Sequence, residues 1–129
     1  MNLKVIALAT ILGLSAPAIT DIAIGNHAVA SRGFDYPTGT FTDREWRVRL
    51  RYNDDGYDYK ARNLNNGSSL ALSHATTSGD KQRQVYTWRH GEYYYQVVWR
   101  PNDPNTIRLK VFSPHGREIL DRLLYSSDD

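Results

Sequence analysis

The sequence predicts an all-β fold, an antiparallel meander of seven or eight strands forming a small barrel or sandwich. Three observations predict it. Residues Glu45 to Tyr52 alternate without a fault, with Trp46, Val48, Leu50 and Tyr52 on one side and Glu45, Arg47, Arg49 and Arg51 on the other; this is the period of a half-buried strand. Turn residues recur at short intervals between further alternating stretches, the spacing of hairpins and not of helical crossovers. Aromatic residues make up 12% of the 129 residues, within a hydrophobic total of 40%. That is enough to fill the interior of a domain of about 100 residues.

The chain begins with a segment of a different kind. Lys4 precedes the uncharged apolar run Val5 to Leu14, and the small residues Ala28-Val29-Ala30 stand before Ser31. This is the pattern of an export signal over residues 1–30, leaving a single β domain over 31–129. Ala16-Pro17-Ala18 is a competing cleavage site, and an uncleaved signal would be the one route to membrane attachment. The expected location is periplasmic or extracellular. The chain has no Cys, so neither a lipid anchor at cysteine nor a disulfide is open to it, and the fold rests on packing. Without residues 1–30 the charge balance is still net +2 and every aromatic residue remains.

Within the domain, Phe34 to Phe41 supplies a short edge piece and Glu45 to Tyr52 the first long strand. Asn53-Asp54-Asp55-Gly56 turns the chain, and Tyr57, Tyr59 and Ala61 alternate with Asp58, Lys60 and Arg62 in the next strand. Asn66-Gly67 has the chemistry of a type I′ hairpin, where both central residues need positive φ. Ser69 to Ala75 follows with Leu70 and Leu72 inward. His74 shares their parity, which predicts a buried, hydrogen-bonded imidazole near Tyr59. Thr76 to Lys81 reads as a polar loop.

Arg83 to Arg89 and Glu92 to Trp99 form a hairpin about His90-Gly91. Placing Arg89 opposite Glu92 sets Trp88 against Tyr93 and Tyr86 against Tyr95. The run Arg100 to Asn105 interrupts the pattern, because its two prolines lack a backbone donor. Ile107, Leu109 and Val111 resume it. After Ser113-Pro114-His115-Gly116, residues 117–124 fit a strand or a short helix. The strand is favoured, since a tight Pro-x-Gly turn brings the chain back alongside itself.

Pairing Tyr52 with Tyr57 has an electrostatic consequence. Arg51 then faces Asp58, but Arg49 faces Lys60 and Arg47 faces Arg62, and the following strand lays only Ser73 and Ala71 beside the last two cations. Like charges directly opposite one another destabilise a sheet by a few tenths to about 1 kcal/mol. Such a local conflict is where function is often found. Arg47, Arg49, Arg51, Lys60 and Arg62 therefore form a candidate ligand-binding face for an anionic glycan, a phosphate-bearing ligand or an acidic protein. A solvated face of fanned cations that blocks edge pairing, or a bulge that shifts the register, would explain the same residues. Nucleic acid is not expected, because exposed aromatic stacking platforms are not interleaved with the cations.

Signatures of cofactor chemistry are missing: no Gly-rich phosphate loop, HExxH or calcium loop occurs, so no cofactor and no metal is expected. Asp54, Asp55 and Asp58 cluster, but turn chemistry accounts for the first two and Arg51 for the third. Ser78-Gly79-Asp80 has a hydroxyl without a His and an acid placed beside it, so no catalytic residue is assigned and an enzyme is not expected; a small hydrolase is the least favoured reading.

The stretch from Leu70-Ala71-Leu72 through Ser78-Gly79 to Tyr86-Thr87-Trp88-Arg89-His90-Gly91-Glu92 resembles the centre of the periplasmic and membrane-bound inhibitors of c-type lysozyme, small exported antiparallel barrels. The resemblance implies an inhibitor whose loop serine is Ser78, with His90 standing where that family has a lysine and Arg89 and Glu92 flanking it. Asp80 departs from the family's small residue. The segments Gly39-Thr40-Phe41, Tyr86-Thr87-Trp88 and Trp99-Arg100-Pro101-Asn102-Asp103-Pro104 resemble a group of small exported cyanobacterial proteins of unknown function. That likeness implies the extent and export of the domain and no activity. The leading expectation is an exported non-enzymatic binding or interaction module, with inhibition of c-type lysozyme as the alternative.

Overall fold

The computed structural model describes residues 33–127; the segment expected to be an export signal, with its expected cleavage site, lies outside the described residues. The chain forms nine strands: β1 (Gly39–Thr42), β2 (Trp46–Asn53), β3 (Gly56–Asn63), β4 (Ser69–Leu72), β5 (Thr76–Asp80), β6 (Arg83–His90), β7 (Tyr93–Arg100), β8 (Asp103–Phe112) and β9 (Glu118–Ser127). All neighbours pair antiparallel in one sheet of order β4-β3-β2-β1-β9-β8-β7-β6-β5. Consecutive strands are neighbours everywhere except between β4 and β5, which are joined by residues 73–75, and the first and last strands pair with each other. The result is a curled, barrel-like sheet closed between β1 and β9 and open between β4 and β5. No helix among the described residues is long and apolar enough to cross a membrane.

The concave face holds the inward side chains, with Val48, Leu50, Tyr59, Tyr86, Trp88, Val97, Ile107, Leu109 and Leu124 all within 2% of complete burial. Aromatic rings meet across the gap that the backbone leaves open. Tyr59 and Tyr57 on β3 lie 5.0 and 5.4 Å from Trp88 on β6, and Tyr57 lies 4.9 Å from Tyr86. The Trp88 indole N–H donates to the Tyr57 carbonyl at 2.9 Å. That carbonyl lies beyond the stretch of β3 that β4 covers, so a side chain supplies the donor that a neighbouring strand would otherwise bring.

Residues 34–37 bridge the same two strands. The Tyr36 N–H donates to the Tyr86 hydroxyl and the Asp35 N–H to Gln84 Oε1. The Tyr57 hydroxyl donates to the Pro37 carbonyl. Gln84 is completely buried on the inward side and fully engaged: its amide donates to Asp35 Oδ2 and the Lys81 carbonyl, and its Oε1 also accepts from the Tyr86 hydroxyl. Burying a polar side chain is tolerated on these terms.

Several local expectations change. Thr76 to Asp80 is a strand and not a loop. It lies at the edge of the sheet and lacks apolar alternation, although Thr77 is buried inward. Gly79 has φ +82°, and a Cβ there would lie 2.3 Å from the Arg83 carbonyl oxygen, so only glycine fits the tight end of this hairpin. β4 stops at Leu72, and His74 takes φ 70° in the link to β5. Its side chain is therefore exposed and not buried near Tyr59. The segment expected at an edge contributes β1, at the centre of the sheet, because closing a meander requires its first strand to meet its last. The proline run shrinks to a turn at Pro101-Asn102, and Pro104 sits where the β7–β8 register is irregular. Residues 118–127 form a strand, as favoured.

Two hairpins keep their place but shift by two residues. The Asn66-Gly67 turn is part of a four-residue loop in which Gly67 alone has positive φ. Asn63 Oδ1 accepts the Asn65 N–H, and Arg62 pairs with Ser69. At the other, His90 pairs with Tyr93, so Trp88 faces Tyr95 and Tyr86 faces Val97. Gly91 stands first of the two central residues with φ 61°, the requirement of a type II′ turn. A shift of two leaves every side chain on its expected face. Tyr52 and Tyr93 depart from inward burial: they are 58% and 42% exposed, and Tyr52 stacks on Tyr36 at 4.7 Å.

Trp88→Phe keeps a ring in place but leaves the Tyr57 carbonyl without its donor. A loss of about 1–3 kcal/mol is expected in urea unfolding, against a change within about 0.5 kcal/mol for exposed Leu123→Ala. Burial also pushes the Tyr57, Tyr59 and Tyr86 hydroxyls far above their ordinary value of 10.0. The folded chain thus holds protons that the unfolded chain releases above that value, and stability falls as pH rises through it. Phenolate absorbance from these rings should appear together with loss of the near-ultraviolet circular dichroism.

Candidate functional site

The β2–β3 register is the expected one: Tyr52 faces Tyr57, Arg51 faces Asp58, Arg49 faces Lys60 and Arg47 faces Arg62. Arg47, Arg49, Arg51, Lys60 and Arg62 are all exposed, on the convex side opposite Val48, Leu50, Tyr59 and Ala61. The flanking strands bring no acid to the central rungs. β1 lays Thr40 beside Arg49 and Thr42 beside Arg47, and β4 lays Ala71 beside Lys60 and Ser69 beside Arg62. Strands about 4.8 Å apart and same-face residues about 6.7 Å apart along a strand spread the cations into a grid.

Ion pairs among the described residues lie elsewhere, joining Arg108 to Asp121, Lys110 to Glu118, and Arg122 to Asp43 and Glu45. Arg49, Lys60 and Arg62 have no carboxylate among the described residues within ion-pair distance. The Arg62 guanidinium turns toward the hairpin loop, 3.8 Å from where a Cβ on Gly67 would sit. This draws the Arg62 charge toward the loop, and water screens the repulsion among these exposed cations.

Asp58 is held by a different partner from the one expected. Asn53 Nδ2 donates to its Oδ2 at 2.9 Å. This bond, then the Ser73 hydroxyl and only further down the charge of Arg51, lowers its carboxyl below the ordinary 3.8. The three aspartates of the first hairpin do not converge: among the described residues no three His, Asp or Glu side chains form a metal-binding group.

The second set of candidates is spread out. Ser78 lies exposed on β5 opposite Val85, and His90 stands at the end of β6, five residues beyond Val85, or about 17 Å along the strand. Arg89 is tied to the turn, its Nε donating to the Gly91 carbonyl at 2.9 Å and its guanidinium lying 5.8 Å over the Tyr94 ring. Glu92 is exposed in the same turn, and Tyr93 and Tyr94 beside it are each about 40% exposed.

Two charged groupings were not anticipated. Arg122 falls on the inward parity between Leu120 and Leu124, where Asp43 and Glu45 from the β1–β2 connection neutralise it. The spacing Leu120-x-Arg122-x-Leu124 carried the signal; its acidic partners are distant in sequence. On the convex side, Val85 and Val98 pair and are buried. Beside them Arg83 is made less basic by burial, and then by Arg100.

Arg49→Glu converts the Arg49–Lys60 rung into an attractive pair, so urea unfolding should show a gain of about 0.5 kcal/mol; an unchanged or lower stability would mean that these cations are already satisfied. For Asp58 the folded carboxyl ionises more readily than the unfolded one. Its contribution is complete above 3.8 and lost as pH falls through the lower folded value. Asp58→Asn should therefore flatten the acid limb of the stability profile. No protein-family model matches the chain, and no curated protein and no solved structure matches it.

Proposed function

We propose that this chain is an exported, non-enzymatic binding module whose convex β2–β3 face takes the anionic groups of a partner: sulfate, phosphate or carboxylate displayed on a glycan or an acidic protein surface. One observation carries the reading. Arg49 faces Lys60, with the neutral Thr40 and Ala71 on the flanking strands at that rung. A sheet stabilised for its own sake would place an acid opposite one of the two.

A repeating polyanion matches a grid of cations better than a single small anion does, because each rung meets another charge and the guanidinium forks donate to paired oxygens. Such binding needs neither a cleft nor a nucleophile. Its strength falls steeply with salt, since the face is solvent-exposed.

Retention on heparin and on phosphocellulose tests this. The protein should stay bound at about 0.15 M salt and elute above it. Arg49→Ala with Lys60→Ala should abolish retention, whereas Lys81→Ala with Arg117→Ala, which removes the same charge from two turns elsewhere, should not. Equal elution of the two double variants would reduce the effect to net charge and overturn the reading.

A further inference from the structure

The cations have an aromatic neighbour on their own side of the sheet. Register carries one row of residues across five strands: Arg62 on β3, Arg47 on β2, Thr42 on β1, Tyr125 on β9 and Thr106 on β8. Leu124 is completely buried and Tyr125 is 56% exposed, so the pleat sends the Tyr125 ring to the convex side with the arginines. The next row runs Lys60, Arg49, Thr40, Ser127.

The β1 column between the cations and the ring is low. Thr40 and Thr42 have the convex parity, opposite to the core residue Phe41, yet Thr40 is buried and Thr42 half-buried. The longer side chains of β2 and β9 rise on either side of them. This makes a shallow trough two strand spacings wide, or about 10 Å, with Arg47 and Arg49 along one wall and Tyr125 on the other. Leu123, also exposed, continues the apolar strip along β9, and the Arg108–Asp121 ion pair borders it.

We infer that the polyanion taken by this face is an acidic glycan, one sugar of which packs on the Tyr125 ring while its sulfate or carboxylate reaches across the trough to Arg49. The inference rests on the proposed cationic face and names its substrate class. A pyranose turns a face of C–H groups outward, and these meet the negative face of an aromatic ring as both surfaces lose water. An anionic sugar carries that face and its charge on one rigid unit, which matches a ring and a guanidinium set on opposite walls.

An acidic protein matches less well. The core of a protein interface is a broad desolvated apolar patch, whereas Tyr125 has a threonine on each side in its row and an ion pair beyond Leu123. Single-stranded nucleic acid is held by successive stacking platforms among the cations, and here a strand of threonines separates the ring from them.

The test compares a heparin oligosaccharide with polyglutamate of equal charge, by calorimetry at about 0.15 M salt. Tyr125→Ala should weaken the oligosaccharide about three- to tenfold, the worth of one aromatic contact, and leave polyglutamate unchanged. Tyr125→Phe should bind both as the unaltered protein does, since the ring and not the hydroxyl makes the contact. Sugar C–H resonances should move upfield on binding, and move less with Tyr125→Ala. Tyr125 is exposed, so its replacement leaves the core intact. Equal loss for the two polymers in Tyr125→Ala, or no loss for either, would overturn the inference, as would oligothymidylate binding more tightly than the oligosaccharide with the same dependence on Tyr125. In each of those cases weakening of both polymers by Arg49→Ala with Lys60→Ala would leave the cationic face standing. Binding of neither polymer to the unaltered protein would overturn that face, and this inference with it.

Discussion

Between β4 and β5 the sheet has no backbone ladder, and the bond from the Trp88 indole to the Tyr57 carbonyl stands in for one. Around it Tyr57, Tyr59, Tyr86 and Trp88 stack from both flanks, and residues 34–37 lace the same flanks with four further bonds. The curl depends on this junction. Were it to open, the largest rings of the interior would meet water, and each buried aromatic side chain stabilises the fold by a few kcal/mol. A chain without cysteine has no covalent substitute.

Once the curl is held, the two faces have separate physics. Inside, the pleat delivers aromatic and aliphatic groups to a closed volume, and the one inward guanidinium near it, Arg122, is tolerated because Asp43 and Glu45 meet it. Outside, the same pleat sets arginines and a lysine in adjacent rungs. Water screens these exposed groups, so the repulsion is small enough to keep.

The legible parts were those governed by neighbours in the chain. Strict alternation marked β2 and β3, and a four-residue turn between them set the pairing of Arg49 with Lys60. The two hairpins misjudged by two residues had turns whose geometry depended on one glycine, Gly67 or Gly91, and not on the dipeptide expected. β5 left no hydrophobic trace, because an edge strand of Thr, Ser and Gly answers to the hydrogen bonds of β6. His74 escaped for a related reason: alternation was extended past Leu72, where the chain had already left the sheet.

Residue order by itself determined the all-β class, the inward and outward sets and the clustering of cations on one face. Side-chain parity is a property of the extended backbone, and an even error in register leaves it intact. Tertiary structure alone decided that Thr40 pairs with Ser127 at the middle of the sheet and that Trp88 bridges the open flank. Those outcomes depend on which distant segments share a volume once the sheet has curled, and no local spacing encodes that.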